Sequence, residues 1–383
     1  MAKRVKVVES TRDELRSRVA RFGAIADRFA SWRPAGEVLT RVVAQPTIFV
    51  QYDLATKVGG HPLQRVALVH GPSSQGKTCF ALGLGLSFLA AGHVFAYVDS
   101  EMTTPDDWLQ KLMVEQSGNP GFLAQRPHSY EEVVVGVREL LTGMKKARDA
   151  EEIDAGTSAL VVIDSIRKLV PKGLLDKMLK GDAGIDGAKG RGAMMKAALN
   201  AQWLDELVPL LYYTNSSLLF IAREFDNPDA SPWEVDYKVA GGKAVLYDSS
   251  LAMRITRDGH VKSGTGKEAV VLGERHRVTI HKTKVSAKEQ KVSVAHFHTS
   301  NGLRYPEGFD RASDIVEAAL ACGLFEKKAG WVNDTETGER WREGALTQAL
   351  RDDPKTLAVT EQNVRAKWKD SAADHIAALK GDE

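Results

Sequence analysis

The chain is nearly without cysteine: Cys79 and Cys322 are its only two in 383 residues. Two thiols cannot build the disulfide framework of a small secreted domain, and their scarcity points to a reducing compartment. A long apolar run is missing as well. The longest, from Cys79 to Ala91, is broken by glycines and falls short of the ~20 residues that span a bilayer. The first residues, Met1 to Gly23, are too charged for a signal peptide. Nor does charge of one sign dominate: 52 Lys and Arg stand against 50 Asp and Glu, a formal net charge of +2. Any nucleic-acid binding must therefore come from local patches and not from a global field. What is present is ordinarily globular, 43% hydrophobic and 27% charged residues, which excludes disordered and fibrous classes. The length allows one large core with smaller additions. The expectation is a soluble cytoplasmic protein with no membrane segment.

Hydrophobic spacing divides the chain into three parts. Residues 1–46 carry Leu15, Val19, Phe22, Ile25, Ala26 and Phe29 at helical spacing over 11–31, followed by a linker at 32–36. With no core of its own, this segment is expected to pack on a neighbouring subunit. Residues 47–305 alternate short apolar runs with helical patterns. The runs at 66–70, 94–99, 159–164 and 217–222 are unbroken and rich in Val, Ile, Leu and Phe, as strands covered on both faces are. Helices are predicted between them at 78–91, 106–117, 131–148 and 192–212. Segments 278–284 and 291–298 alternate and read as strands with one wet face. The fold class is α/β with a mostly parallel sheet. Residues 306–383 begin after Pro306 and Gly308, with an amphipathic helix at 311–322, and read as a small C-terminal α+β domain. The segment 181–192 holds five glycines, a density that predicts a mobile loop and not a helix.

The sharpest motif is Gly71-Pro72-Ser73-Ser74-Gln75-Gly76-Lys77-Thr78, between a predicted strand and a predicted helix. This G-x-x-x-x-G-K-[ST] pattern lets successive backbone N–H groups and a helix N-terminus face phosphates. Lys77 supplies a point charge to the β- and γ-phosphates, and the Thr78 hydroxyl is a Mg²⁺ ligand. Cys79, directly behind, belongs to the site by position; its thiol reads as a small buried group. Asp164 ends the buried run 159–164, where a carboxylate would hold Mg²⁺. Glu101 ends another such run. It serves either as the carboxylate that orients the attacking water or as a charge at the start of the next helix, and spacing alone leaves that open.

The order of these motifs resembles the RecA recombinase family. Gly59 to Thr78 is similar to the start of that core, Ala96 to Glu101 to its strand ending in the catalytic glutamate, and Val161 to Ser165 to its Walker B strand. Gly241-Gly242 resembles the segment after the second DNA loop, and His281-Lys282-Thr283-Lys284 the lysine pair that crosses the subunit interface. Lys328 to Trp331 is a partial match near the C-terminus. The resemblance implies a RecA-like ATPase core using ATP and Mg²⁺, a homo-oligomeric helical filament on single-stranded DNA, and pairing with double-stranded DNA. It makes Glu101 catalytic, stacks Trp108 on adenine, and sends Lys282 and Lys284 to the neighbour's γ-phosphate. Otherwise Trp108 is a core aromatic and the lysines are exposed charges on one strand face.

Two DNA-binding loops are implied, at about 171–195 and 224–240. From Arg167 to Lys196 there are eight basic residues against three acidic; Lys180, Lys189, Arg191, Met194 and Lys196 are the DNA-binding candidates there. The second loop offers Phe225, Trp233 and Lys238 but carries five acidic residues, unfavourable beside phosphate. Asn200 and Ala193 stand where the family has arginines, and Arg223 replaces a glutamine that senses the γ-phosphate. Those departures keep two rivals open, a ring-forming DNA motor and an ATP-switched regulatory protein without strand exchange.

Overall fold

The computed structural model describes residues 42–102, 118–180, 185–227, 231, 233, 237–263, 270–286, 293–300, 308–342 and 344–381. The chain divides into two compact units, Met1–Val42 and Val43–Glu383. The expected N-terminal helix at 11–31 and the helix at 106–117, including Trp108, lie outside the described residues.

In the larger unit, β1 (Ala44–Gln45) and β2 (His61–Pro62) form a short antiparallel ribbon flanking the helix Val50–Ala55. The main sheet has nine strands. Its parallel part comprises β3 (Arg65–Gly71), β4 (Val94–Asp99), β5 (Phe122–Gln125), β6 (Ala159–Asp164) and β7 (Ser217–Asp226). The short β8 (Tyr237–Val239) folds back antiparallel on the end of β7. Then come β9 (Leu251–Ser263), β10 (Val270–Thr283) and β11 (Ser293–Ser300). Across the sheet the order is β11-β10-β9-β3-β7-β6-β4-β5. β9 runs parallel to β3, while β10 and β11 are antiparallel to their neighbours. The sheet is thus mostly parallel with an antiparallel edge, and the apolar runs are buried as their composition requires: every residue of β6 is buried.

One face is covered by the helices Tyr130–Asp149 and Ile185–Tyr213. Trp203 sits there edge-on to Phe220 at 5.8 Å and to Tyr130 at 5.6 Å. The helix Lys77–Ala90 covers the other face, with Phe80 stacked on Phe49 at 5.0 Å. Among the described residues no helix is long and apolar enough to cross a membrane.

The glycine-rich segment corrects the expectation of a loop over 181–192. From Ile185 onward it is the first part of a helix that runs to Tyr213. Each glycine costs ~1 kcal/mol against alanine in a helix. Trp203, Leu204, Leu207 and Leu211 bury the other end of the same helix in the core, and propagation from a docked helix is cheaper than nucleation. Alternation suggested only 278–284 and 291–298 as late strands; β9 gave no such signal, and β10 begins at Val270.

The C-terminal residues include the helix Arg311–Ala321, a three-stranded sheet of β12 (Phe325–Lys328), β13 (Trp331–Asp334) and β14 (Arg340–Arg342), and the helices Ala345–Asp352 and Pro354–Gly381. They gather their own apolar cluster, which closes over Val50. Two buried carboxylates fasten the contact: Asp314 accepts from the Val50 amide at 2.6 Å, and Asp53 pairs with Arg365 at 2.8 Å.

His61 ties the ribbon to the sheet. It is fully buried, with Tyr52 Oη 2.8 Å from Nδ1 and Ser217 Oγ 2.9 Å from Nε2. Burial lowers its pKa to about 3, so the folded state keeps it neutral while the unfolded chain protonates near pH 6.5. The unfolded state then binds more protons, and stability falls as the solution is acidified below pH 6.5. Between pH 6 and pH 4, the wild type is expected to lose about 1.4 kcal/mol per pH unit more than His61→Gln. Chemical denaturation of both proteins across that range reads the difference.

Candidate active site

The C-terminal ends of β3, β4, β6 and β7 meet at one edge of the sheet, where open α/β folds bind their ligands. The segment after β3 is held as tightly as its pattern requires. Gly71 has φ +154°, and a Cβ there would lie 2.2 Å from the Ile255 carbonyl oxygen on β9. Gly76, left-handed at φ +88°, starts the helix Lys77–Ala90, and a Cβ on it would lie 2.7 Å from the His276 ring. The loop therefore presents its amides and a helix N-terminus to the cleft. Lys77 is only 7% exposed. Its Nζ donates to the carbonyls of Gly71 at 3.1 Å and Pro72 at 2.6 Å, and burial lowers its pKa.

Opposite the lysine, Thr78 Oγ1 donates to Asp164 Oδ2 at 2.7 Å, and Tyr97 Oη donates to the same oxygen at 3.0 Å. Burial raises the Asp164 pKa, with the hydrogen bonds from Thr78 and Tyr97 pulling against it. A hydroxyl and a buried carboxylate converging beside a phosphate loop are the hard oxygen donors that suit Mg²⁺. Among the described residues no group of three or more His, Cys, Asp or Glu is placed to hold a metal ion. Glu101 stands across the cleft. Its Oε1 accepts from Ser165 Oγ at 2.8 Å and its Oε2 from Arg223 Nη2 at 2.5 Å. Gly71 and Arg223 are register partners in the pairing of β3 with β7, which is why an arginine distant in sequence reaches the loop. These side chains line one cleft of about 460 Å³. Cys79 is also at its wall, and burial, then Glu274, pushes its thiol up to about 12, leaving it unreactive.

The antiparallel edge supplies a wall that the motif did not announce. Gln75 Oε1 accepts from the Arg257 amide at 2.6 Å, the Arg257 guanidinium donates to the Ser74 carbonyl at 3.2 Å, and His276 Nδ1 lies 3.0 Å from the Gln75 carbonyl. His276 is stacked on Phe297 at 4.7 Å, and Glu274 pairs with Arg257 at 3.1 Å. No spacing in the sequence reveals these partners. Irregularities in the β9–β10 register set which residues face the loop, one of them between Arg275 and His276.

The remaining candidates are scattered. Lys282 and Lys284 lie together, and their ammonium groups donate to carbonyls at the end of the helix Gly242–Asp248: Lys282 to Leu246 and Tyr247, Lys284 to Tyr247 at 2.8 Å. Cations suit a helix C-terminus, so both lysines have an intrachain contact the sequence did not suggest. In the first implied loop, Lys180 caps the helix Lys172–Leu179 and is exposed. Lys189, Arg191 and Met194 fall on the helix from Ile185. Lys196 donates to the Arg167 carbonyl at 3.1 Å. In the second, Phe225 is 48% and Trp233 95% exposed, and Lys238 is exposed on β8. Gly241 is the N-cap of the helix beginning at Gly242. Its carbonyl accepts from Asn200 at 2.9 Å, and Asn200 in turn accepts from Tyr130.

A parallel sheet whose first long strand leads through a glycine-tight loop into a helix, with carboxylates on the neighbouring strand ends, defines a P-loop protein with a RecA-like core. Comparison narrows this further: residues 35–303 match the family described as RecA N-terminal domain, and the chain belongs to the RecA family. It is 28% identical over 305 residues to the RecA protein of Geobacter sulfurreducens, covering 78% of this chain and 77% of the relative. The RecA protein of Heliobacterium modesticaldum is 27% identical over 354 residues, covering 90% and 89%. That of Thermus thermophilus is 28% identical over 346 residues, covering 88% of each.

Because Gly76 combines a left-handed backbone with contact to the His276 ring, Gly76→Ala is expected to destabilise the protein by about 1–3 kcal/mol. The denaturation midpoint of the variant measures this, and an unchanged midpoint would mean the loop yields freely at that position.

Proposed function

We propose that this protein is a DNA-dependent ATPase that assembles as a helical filament on single-stranded DNA and promotes homologous pairing and strand exchange with duplex DNA. The observation that carries the ATPase part is the convergence of Lys77, Thr78, Asp164 and Glu101 on one cleft behind a phosphate-binding loop. In this reading the loop amides and Lys77 hold the β- and γ-phosphates, and Thr78 and Asp164 hold Mg²⁺, which neutralises phosphate charge when bound. Glu101 orients and deprotonates the attacking water. Arg223, now on Glu101, lies within the same cleft and is a further cation for the γ-phosphate. Family membership supports the filament and the DNA. The exposed Phe225 and Trp233, which can stack on bases, support it as well.

The chemistry is tested by two variants. Lys77→Ala is expected to abolish nucleotide binding and hydrolysis together. Glu101→Gln is expected to retain nucleotide affinity within about threefold while turnover falls by ~10² or more. Equal loss of affinity in both would remove Glu101 from the catalytic role.

Assembly is tested by mixing. Lys282→Ala/Lys284→Ala keeps Glu101, and Glu101→Gln keeps the lysines, so a mixed filament contains some interfaces with one intact copy of each. If the lysines act on the neighbour's γ-phosphate, DNA-stimulated hydrolysis absent from either protein alone returns on mixing. No recovery from demonstrably mixed filaments would confine the lysines to the helix end they touch within the chain.

A further inference from the structure

Behind the cleft stands a phenol that the phosphate-loop pattern does not call for. Tyr97 lies on β4, is 1% exposed, and is not among the residues lining the cleft. Its hydroxyl donates to Asp164 Oδ2 at 3.0 Å, the same oxygen that accepts from Thr78 at 2.7 Å. Among the described residues no other group hydrogen-bonds the Asp164 side chain.

The pairing of β4 with β6 explains why such a contact is needed. Tyr97 stands opposite Val162, and Asp99 stands opposite Asp164. Like charges placed directly opposite one another on neighbouring strands are destabilising. Asp99 is turned to other partners: Oδ1 accepts from the Met102 amide at 2.9 Å and Oδ2 from Arg126 at 3.3 Å. It gives Asp164 no support. Tyr97, two residues earlier on the same face, is long enough to reach diagonally to Oδ2. A phenylalanine would fill the same space and leave the carboxylate to Thr78 alone.

Tyr97 is itself locked by packing. Phe95, two residues back on the same face, lies 6.2 Å from its ring and is stacked on Phe122 at 5.2 Å. Gly85 of the helix Lys77–Ala90 presses on Phe95, where a Cβ would come within 2.5 Å of the ring. That helix thus rests directly on β4, and its second residue is Thr78. The two hydroxyls on Asp164 accordingly come from two elements whose close packing fixes their separation. Their roles differ. Thr78 lines the cleft, and a hydroxyl can donate its proton to Asp164 while its oxygen serves a metal. Tyr97, behind the wall, holds the carboxylate without touching a ligand.

We propose that the Tyr97 hydroxyl is a positioning group for the metal site: it fixes the Asp164 carboxylate beside Thr78 and thereby sets how tightly the site takes Mg²⁺ together with a nucleotide. A partner behind a metal-holding carboxylate contributes ~10–100-fold to metal affinity, because the ligand is held in place before the ion arrives. Hydrogen bonds to a carboxylate are also among the stronger ones. The proposal rests on the nucleotide and Mg²⁺ reading of the cleft, and on neither DNA binding nor a filament.

The test is ADP affinity by calorimetry, once with Mg²⁺ and once with a chelator in its place; the gain from Mg²⁺ is the ratio of the two. Without metal, Tyr97→Phe is expected to bind ADP within about twofold of the wild type, since the loop amides and Lys77 are untouched. Its gain from Mg²⁺ is expected to be ~10-fold smaller. Adding Tyr97→Phe to Asp164→Asn is expected to change the gain no further, because the hydroxyl acts through that carboxylate. Phe95→Leu is the packing control, expected to lower the melting temperature and keep the gain. Tyr97→Met, apolar and adaptable in shape, gives a second route to the same loss should Tyr97→Phe fail to fold. A full gain in folded Tyr97→Phe, or an equal loss in Phe95→Leu, overturns the proposal. So does a wild type that binds ADP with no gain from Mg²⁺, which removes the metal reading as well. A wild type that binds no ADP overturns the nucleotide reading first, and the hydroxyl's proposed use with it.

Discussion

The cleft depends on the in-register parallel pairing of β3, β7, β6 and β4. That pairing sets Gly71 beside Arg223, Asp164 beside Ile221, and Asp99 beside Asp164. Because strand side chains alternate, a slip of one residue between β3 and β7 would turn Arg223 away from the cleft and bring Glu224 into it. The register is protected by burial on both faces: moving any of these strands would force apolar residues that interdigitate with helices above and below to repack at once. The chemistry is thus held by the core, and the loops need only present what the strand ends fix.

At that edge each charged group has its own hydrogen-bond partners. Lys77 is satisfied by loop carbonyls, Asp164 by two hydroxyls, and Glu101 by a hydroxyl and a guanidinium. A buried ion left without a partner would be strongly destabilising, so each group must hold something. In the proposed reading, phosphate oxygens, a metal ion and water would take the place of these contacts. A site built this way is stable on its own and can exchange partners when a ligand of complementary charge enters.

What could be read from the sequence was what is local. The loop from Gly71 to Thr78 states its own geometry, since glycine positions and a following helix are a short-range matter. Buried strands declare themselves by unbroken apolar runs, and Asp164 and Glu101 by standing at the ends of such runs. What could not be read depends on register. His70 and Glu224 are 154 residues apart, and His70 and His281 are 211 apart. They meet only because β7 and β9 flank β3 and because a bulge displaces His281. The same holds for His276 and Arg257 at the loop. The helix from Ile185 was misjudged for the converse reason: its glycines are local signals, and the packing of Trp203, Leu204, Leu207 and Leu211 overrides them from outside the segment.

The departures from the family pattern are connected by that same geometry. Arg223 in place of glutamine adds a cation to the cleft, and Glu101 absorbs it. Glu224, the next residue, is one of the acidic positions that counted against the second loop as a DNA-binding surface. In the structure it is turned inward, paired with Arg254 and hydrogen-bonded to His70, so it lends no negative charge to the loop's exterior. Asn200 is a buried hydrogen-bonding link between Tyr130 and the carbonyl of Gly241. Arg223 and Glu224 are accommodated in this chain by partners on other strands and segments, Glu101 for the one and His70 with Arg254 for the other.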